Sequence, residues 1–500
     1  KRTPVGHCTT ASGVPFSGIV TTATAPSAAP PESAASPPPA KGLIARVKGY
    51  ARPPRVMGLD VARGLALLGM AIAHVGGMPD LEWNDPSTWG GVVHGRSSIL
   101  FAVLAGISIT LMTGRTSGLA PQDVTAARLR LVGRGGAIFL IGLVLEFLGT
   151  PVAIILTFYG VLFIAAIPFL RWSARRLLIV AAVIGVVGPV LLALVQVLSN
   201  YSSGSGVSLA IAGTFPATVW LAMLLAGMGL GRWGLESSRA AVTLLVVGAV
   251  LAGVGYGAAA AFGGADGEAD WDDSWVDEEP MDDGLYGVPG DQVDVSELVC
   301  DLYGEEWVSC YPADYTDEAT MSAGASSVVL DLGGIGAGSV VNSSVIVDTG
   351  GSGSFNEDYT YGDMLREAAI PQVLWGAVIS DYPHSGGVAE VLGSGGFAIA
   401  VIGLCLLLTR PLRWVLIPLA ALGSMPLTVY SVHIVVIMIG MGGPMGPGPL
   451  ERIPWAWFCL GLTAFATVWA LAWGRGPLER LVGRAADAMT RVRVAPAKPE

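Results

Sequence analysis

The chain has 500 residues, of which 52% are hydrophobic and 13% charged, with a formal net charge of −11. Soluble domains carry roughly 25% charged residues, so this composition excludes a single soluble globule. Apolar runs of about 18 or more residues recur along the chain, which excludes a β-barrel because barrel strands alternate in polarity. We therefore predict an all-α polytopic membrane protein.

The N-terminal residues 1–54 are rich in Pro, Ala, Ser and Thr and show no apolar period, which predicts a disordered tail. They lack the short apolar core and cleavage site of a signal peptide. Basic residues between Arg46 and Arg55 precede the first long apolar run, so this end is expected to be cytoplasmic.

About ten transmembrane spans are predicted, seven within residues 55–262 and three within 389–475. Their approximate ranges are 56–76, 97–113, 132–149, 152–170, 177–198, 214–231, 240–262, 389–408, 413–440 and 454–473. The span at 413–440 contains Gly423 and Pro426, which predict a kink or a division into two pieces.

Alternating these spans across the membrane places most arginines between spans on one side. They are Arg115, Arg128, Arg130, Arg134, Arg171, Arg175, Arg176, Arg232, Arg239, Arg410, Arg413, Arg475 and Arg480. Only Arg366 and Arg452 fall clearly in the opposite loops. Basic loops stay in the cytoplasm, so we predict a multi-pass cell-membrane protein with cytoplasmic termini, including a tail at 476–500.

Residues 263–388 form the predicted extracytoplasmic loop. Residues 264–367 contain 25 of the 39 acidic residues and a single basic residue, Arg366. The early part is too acidic to bury a core, and the stretches Ser326–Leu332 and Val340–Val347 indicate a small β element. The acidic run has no calcium-loop spacing, so we interpret it as a solvated spacer rather than a cation site.

Cys300 and Cys310 lie in this loop, where an oxidising environment permits a disulfide between them. Their spacing is not that of a zinc site. A disulfide between these two residues is therefore predicted.

Ionisable residues inside a membrane are costly, so those in the first span are candidates for function. Asp60 and Arg63 are three residues apart and can pair, and His74 falls close to the same helix face. The alternative is that Arg63 reaches the cytoplasmic interface and His74 the outer one without a catalytic role.

The second span begins with His94 and Arg96 at its outer mouth. An arginine on the outer side needs an anionic partner, and Glu146, a lipid phosphate or an anionic ligand would each supply one. Ordinary anchoring at the interface is the competing interpretation.

His384 and His433 are expected at a similar depth, with Tyr430 one turn before His433. Four of the five histidines therefore map to the outer half, which favours one catalytic imidazole among them. Histidine also binds zinc, but these spacings match no known ligand pattern, so no metal is predicted.

The stretches RVMGLDVARGLALLGMAIAHVG and HGRSSILFAVLAGISITLMTGR resemble the start of the heparan-alpha-glucosaminide N-acetyltransferase-like family, a family of transmembrane acyltransferases with many bacterial members. Weaker similar stretches follow in the expected order: ILTFYGVLFIAAIPFLR, GTFPATVWLAMLLAGMGLGR, PHSGGVAEVLGSGGFAIAVIG and LGSMPLTVYSVHIVV. Together they cover most of residues 55–475, without the N-terminal tail and the acidic loop.

This resemblance implies that an acyl group, typically acetyl, passes from cytoplasmic acyl-CoA to an acceptor across the membrane, commonly the amine or hydroxyl of a sugar. The Asp60–Arg63 pair with Arg128, Arg130 and Arg134 would then hold CoA, since arginine binds phosphate bidentately. His74 or His94 would be catalytic, and the choice between them is open. The expected substrate-binding residues are Arg96, Glu146, His384, Tyr430 and His433.

Two other functions remain open at this point. Many spans, broken helices and charges within the membrane also suit a transporter of a lipid or small anion, although no inverted repeat is evident. A non-catalytic anchor for the acidic loop is the third interpretation. The expected partners are acyl-CoA, an extracytoplasmic glycan or glycolipid, and the bilayer, with no nucleic acid; a homodimer is left open.

Overall fold

The computed structural model describes residues 56–76, 85–114, 123–150, 152–199, 215–262, 361–440 and 454–491, together with the backbone of five short strands. The predicted tail at 1–54 lies outside the described residues, as does most of the acidic loop.

Within the described residues, seven helices precede the acidic segment. They are α1 (Met57–Val75), α2 (Arg96–Met112), α3 (Val124–Glu146), α4 (Ile155–Ala165), α5 (Ala174–Leu198), α6 (Ala217–Trp233) and α7 (Ser238–Phe262). Short 3-10 turns at Pro86–Val93 and Ile167–Arg171 lead into α2 and follow α4.

Within the described residues, seven further helices follow the five strands. They are α8 (Tyr361–Glu367), α9 (Ile370–Ile379), α10 (Val388–Leu408), α11 (Ile417–Gly423), α12 (Pro426–Gly440), α13 (Trp455–Trp473) and α14 (Pro477–Arg491). Helices α8 and α9 lie inside the loop predicted at 263–388. The described candidate membrane spans are therefore all helical, as the composition predicts.

The predicted count of ten spans is not confirmed. In the part of the chain that the structure describes, six helices are long and apolar enough to cross a membrane, or seven if α11 and α12 form one broken span. The 23-residue α3 carries three arginines in its first half, and the 11-residue α4 is only about 16 Å long. Charge and short length therefore explain why some predicted spans do not qualify.

Helices α1, α2, α6 and α10 form the buried centre of the bundle, whereas α5 and α7 expose many valines and leucines. Close packing of α7 on α10 relies on glycine, since an added methyl group at Gly248 or Gly396 would overlap the facing helix backbone. The exposed faces of α5 and α7 are suited to lipid.

The span predicted at 413–440 is divided. Helix α11 ends at Gly423, α12 begins at Pro426, and the two are bent by 86°. Proline cannot continue a helix because it lacks an N–H, which accounts for the position of the break. Gly423 lies against the backbone of Asp60, where a larger residue would not fit, so α11 packs tightly on α1.

The C-terminal region that the sequence analysis treats as a tail contains α14. Its valine and alanine at positions 482 and 486 are buried, and its arginines are exposed. The helix packs on α3 near Gly133, where an added methyl group would contact Ala485 and Ala486.

Within the acidic segment the backbone forms an antiparallel sheet in the order β1-β5-β4-β3-β2. The strands are β1 (Leu285–Val288), β2 (Leu298–Tyr303), β3 (Trp307–Pro312), β4 (Val328–Leu330) and β5 (Val345–Asp348). In the register of β2 and β3, Cys300 is directly opposite Cys310. The disulfide between them remains a prediction.

Candidate functional site

Two histidines from distant parts of the chain meet between α1 and α12. His74 Nδ1 lies 3.1 Å from His433 Nε2, and the two rings stack with their centroids 5.3 Å apart. His433 is fully buried, and the ring of Tyr430 packs edge-on against it at 4.8 Å. This is the distance of a hydrogen bond, and the tautomers of the two rings decide which nitrogen donates.

The remaining two described histidines form a second pair. The rings of His94 and His384 are edge-on with centroids 6.3 Å apart. Gly95 has a φ of 64° and lies against Pro383, where an added side chain would clash. Glycine at this position therefore lets the start of α2 approach the loop that carries His384.

The two pairs belong to one group, which we call the histidine cluster: His74, His94, His384 and His433. Both His94 and His384 are close enough to His74 to act on it electrostatically. The structure thus brings together the four histidines that were predicted to lie at a similar depth in the membrane.

Glu390 is a functional candidate that the sequence analysis missed. This buried residue in the first turn of α10 accepts hydrogen bonds from the His384 N–H at 2.9 Å, the Gly386 N–H at 2.8 Å and the Ser385 hydroxyl at 3.2 Å. His384 has a φ of 65°, which is uncommon for a residue other than glycine. Glu390 therefore fixes the strained loop of His384, and its position as a carboxylate within an apolar span could have revealed it.

Arg96 lies beside this loop, and its hydrogen-bond partners do not include Glu146, the expected carboxylate. Its Nε donates to the Tyr256 hydroxyl at 2.7 Å, and Nη1 donates to the Gly91 carbonyl at 3.2 Å. The Tyr256 hydroxyl also lies 2.8 Å from Ser394 Oγ. These contacts connect α2, α7 and α10 at one polar site.

The suggestion that Glu146 pairs with Arg96 needs correction. Glu146 accepts a hydrogen bond from the Thr157 hydroxyl at 2.7 Å and lies near Tyr430, because the end of α3 packs on α4. The carboxylates that act electrostatically on Arg96 are Asp381 and Glu390, in the loop before α10 and in its first turn.

Burial changes the protonation of the loop before α10. It lowers the pKa of His384 to about 4, with a smaller contribution from neighbouring His94. It raises the pKa of Asp381 above its ordinary value, although the nearby positive charge of Arg96 opposes this shift. His384 is therefore neutral at physiological pH.

The ion pair in α1 forms as the spacing predicts. Arg63 Nη1 donates to Asp60 Oδ1 at 2.6 Å, and Nη2 donates to Ser108 Oγ at 2.8 Å. The guanidinium is thus bonded to both α1 and α2, next to the Gly423 contact with α11. This geometry suits a structural contact between helices better than the expected capture of a phosphate, since the charge is already neutralised.

A second group of arginines lies where α3 meets the α13–α14 turn. We call Arg130, Arg134 and Arg475 the arginine patch. Arg130 and Arg475 are exposed, and both repel half-buried Arg134 electrostatically, while Asp487 attracts it. Arg130 and Asp487 are 3.9 Å apart at an exposed position, and Arg128 is exposed two residues earlier on α3. Cations held this close together favour an anion between them.

Among the residues that the structure describes, no group of three or more His, Cys, Asp or Glu side chains is arranged to hold a metal ion.

Residues 55–256, which run from the start of α1 nearly to the end of α7, match the family described as heparan-alpha-glucosaminide N-acetyltransferase, catalytic. The match covers less than half of the chain. The resemblance found in the sequence is thus confirmed over this range, and a catalytic domain of this kind on apolar helices indicates a multi-pass membrane acetyltransferase. Neither a curated protein nor a solved structure gives a match to the chain.

The matched range contains His74, His94 and Arg134, whereas His384, Glu390 and His433 lie beyond it. The histidine cluster is therefore completed by residues outside the range that carries the family assignment.

Proposed function

We propose that the protein transfers an acetyl group from acetyl-CoA, held by the arginine patch, to the amine or hydroxyl of a sugar at the histidine cluster. The observation that carries this proposal is the 3.1 Å contact between His74 and His433. A half-buried imidazole with a fixed neighbour is suited to general base catalysis, and the family match indicates an acetyltransferase.

The hydrogen bonds favour His74 as the base. The buried Nδ1 of His433 interacts with the Val429 carbonyl one turn earlier, without the geometry of a full hydrogen bond. A proton on that Nδ1 makes Nε2 of His433 an acceptor, so His74 donates from Nδ1 and keeps a lone pair on Nε2. His433 would thus orient His74 as the base. The ring of His94 packs against His384 instead of against His433.

The proposed step forms a bond between the acceptor nitrogen or oxygen and the acetyl carbon, and breaks the thioester bond from that carbon to sulfur. His74 Nε2 takes the proton that the acceptor loses. The same proton then passes to the departing thiolate, so His74 returns to its neutral state.

The arginine patch suits the phosphates of CoA. Arginine binds phosphate through two parallel hydrogen bonds, and the three guanidinium groups carry more positive charge than Asp487 neutralises. Within α3, Arg134 and Glu146 are about 18 Å apart along the helix axis, and Glu146 lies near Tyr430. One helix therefore connects the proposed phosphate site with the histidine cluster.

The polar site around Arg96 suits the acceptor. Arg96, Tyr256 and Ser394 offer donors and acceptors next to His384, an arrangement that suits hydroxyl and amine groups. The predominance of arginine in loops on one side of the predicted spans supports a donor in the cytoplasm and an acceptor outside the cell.

The competing function is transport of a lipid or small anion. It is favoured by the 86° break between α11 and α12, because transporters commonly bind their substrates at broken helices. A transporter would move a labelled molecule across the membrane without forming a new covalent bond.

The decisive experiment gives purified protein in nanodiscs acetyl-CoA labelled in the acetyl group and a glucosaminide with a free amine. Label in the acetylated sugar, lost in His74→Ala while CoA still binds, supports the proposal. Repeating the assay with envelope extracts tests other acceptors. Wild-type protein that binds no acetyl-CoA and labels no acceptor would favour the transporter.

A further inference from the structure

The C-terminal helix contacts the helix that carries His433 at an unusual place, the first turn of both. Helix α12 begins with Pro426, Leu427 and Thr428, and α14 begins with Pro477, Leu478 and Glu479. The first N–H groups of a helix have no partner within it and need an acceptor from elsewhere. Here each helix supplies an acceptor to the other.

Glu479 accepts hydrogen bonds from the first N–H groups of α12. Its Oε1 accepts from the Leu427 N–H at 2.7 Å and from the Thr428 N–H at 3.1 Å, and its Oε2 accepts from the Thr428 hydroxyl at 2.6 Å. Pro426 has no N–H, and the Val429 N–H donates to the Met425 carbonyl. The carboxylate thus satisfies the remaining donors of the first turn and lies at the positive end of the helix dipole.

Thr428 completes the contact in the other direction, because its Oγ1 accepts from the Leu478 N–H at 3.3 Å. Gly476 lies against this contact, and an added methyl group there would overlap the Glu479 carboxylate and the Thr428 hydroxyl. We call these four residues, Thr428, Gly476, Leu478 and Glu479, the capping joint.

The capping joint lies at the break of the divided span, where α12 has no preceding helical turn to hold it. His433 is about 10 Å further along α12. A change in the direction of α12 would therefore alter the contact between His433 and His74.

We propose that Glu479 is a positioning residue for acetyl transfer: through the capping joint it fixes the start of α12 and thereby the contact of His433 with His74. The inference rests on the proposed function, because it assigns to Glu479 an effect on that reaction. It also links α14, which packs on α3 beside the arginine patch, to the helix that carries His433.

The test uses the full chain in nanodiscs with Glu479→Ala, Glu479→Gln and Gly476→Ala. The control is Asp123→Asn, which changes a carboxylate at the start of α3 that makes no capping hydrogen bond. Hydrogen–deuterium exchange over 426–433 reports on the joint without requiring activity. Transfer kinetics with acetyl-CoA and the glucosaminide report on positioning.

Glu479→Ala and Gly476→Ala should speed exchange over 426–433 and lower kcat at least about tenfold, because small displacements of catalytic groups are costly. The KM for acetyl-CoA should change less than about twofold, since the phosphate site is elsewhere. Glu479→Gln keeps one acceptor oxygen and should recover part of the loss. Asp123→Asn should behave as wild type.

A double-mutant cycle separates positioning from general stability. In a His433→Ala background, Glu479→Ala should lower kcat less than about twofold further, because the residue through which it acts is gone. Equal losses in both backgrounds would refute the positioning role. Unchanged exchange in Glu479→Ala would refute the joint while leaving acetyl transfer standing, whereas an inactive wild type would refute the proposed function and the positioning role together.

Discussion

The histidine cluster and the arginine patch differ in how their charged and polar groups are held. In the cluster, His433 is fully buried and contacts both His74 and Tyr430, and Glu390 accepts three hydrogen bonds from one loop. In the patch, Arg130 and Asp487 are exposed and 3.9 Å apart. Fixed geometry suits a chemical step, whereas exposed and adaptable cations suit capture of a phosphorylated substrate.

This contrast predicts that substitutions in the cluster lower the rate of transfer, and that substitutions in the patch weaken donor binding.

His74→Ala should lower kcat about 10²–10⁴-fold, the usual cost of removing a general base. Binding of acetyl-CoA, measured by calorimetry in nanodiscs, should stay near the wild-type value because the phosphates lie elsewhere. His94→Ala is the matched control and should retain more activity, since His74 has the buried partner. Full activity in His74→Ala with loss in His94→Ala would reverse the assignment.

Arg134→Ala should raise the KM for acetyl-CoA about tenfold and leave kcat nearly unchanged, because a charge-assisted contact to phosphate is lost. Arg134→Lys should recover only part of the affinity, since lysine cannot form two parallel hydrogen bonds. Arg239→Ala removes an exposed arginine at the start of α7 and serves as the control. A fall in kcat with unchanged KM would place Arg134 in the chemical step.

Glu390→Gln should loosen the loop before α10, because the amide replaces an acceptor oxygen by a donor that faces other donors. The expected cost is about 1–3 kcal/mol for the polar groups left without partners. It should appear as faster hydrogen exchange over 380–387 and a lower transfer rate. Unaltered exchange in this loop would show that the carboxylate does not hold His384.

His384 should make stability depend on pH. Its pKa falls from 6.5 to about 4 on folding, so between these values the unfolded chain binds a proton that the folded loop does not. Its contribution to stability is complete above the ordinary pKa and is lost as the pH falls to about 4.

Thermal denaturation of wild type and His384→Asn at stepwise pH measures this effect. Asn tolerates the positive φ, so the variant should fold and show a weaker fall in stability on acidification. Asp381, whose pKa is raised, acts in the opposite direction in both proteins. Parallel curves would contradict the prediction.

Much of the helical framework could be predicted because apolar runs reveal buried or lipid-facing helices directly. The ranges of α1, α2, α7, α10 and α13 differ from their predicted spans by only a few residues. Helix α14 was missed because its polar composition resembles a tail, although buried Val482 and Ala486 are four residues apart on one face.

From the sequence alone we could predict the helical membrane class, the separation of acidic and basic regions, the Asp60–Arg63 pair and the similarity of residues 55–256 to an acetyltransferase family. These properties depend on composition, on short spacings within one helix, or on long similar stretches.

Which residues meet across the bundle depends on tertiary packing. Packing brings His74 into contact with His433 over a separation of 359 residues. It also makes Tyr256, rather than Glu146, the hydrogen-bond partner of Arg96, and it places Glu479 at the start of α12. Contacts between distant segments depend on how helices pack, and no periodicity within a single segment records that packing.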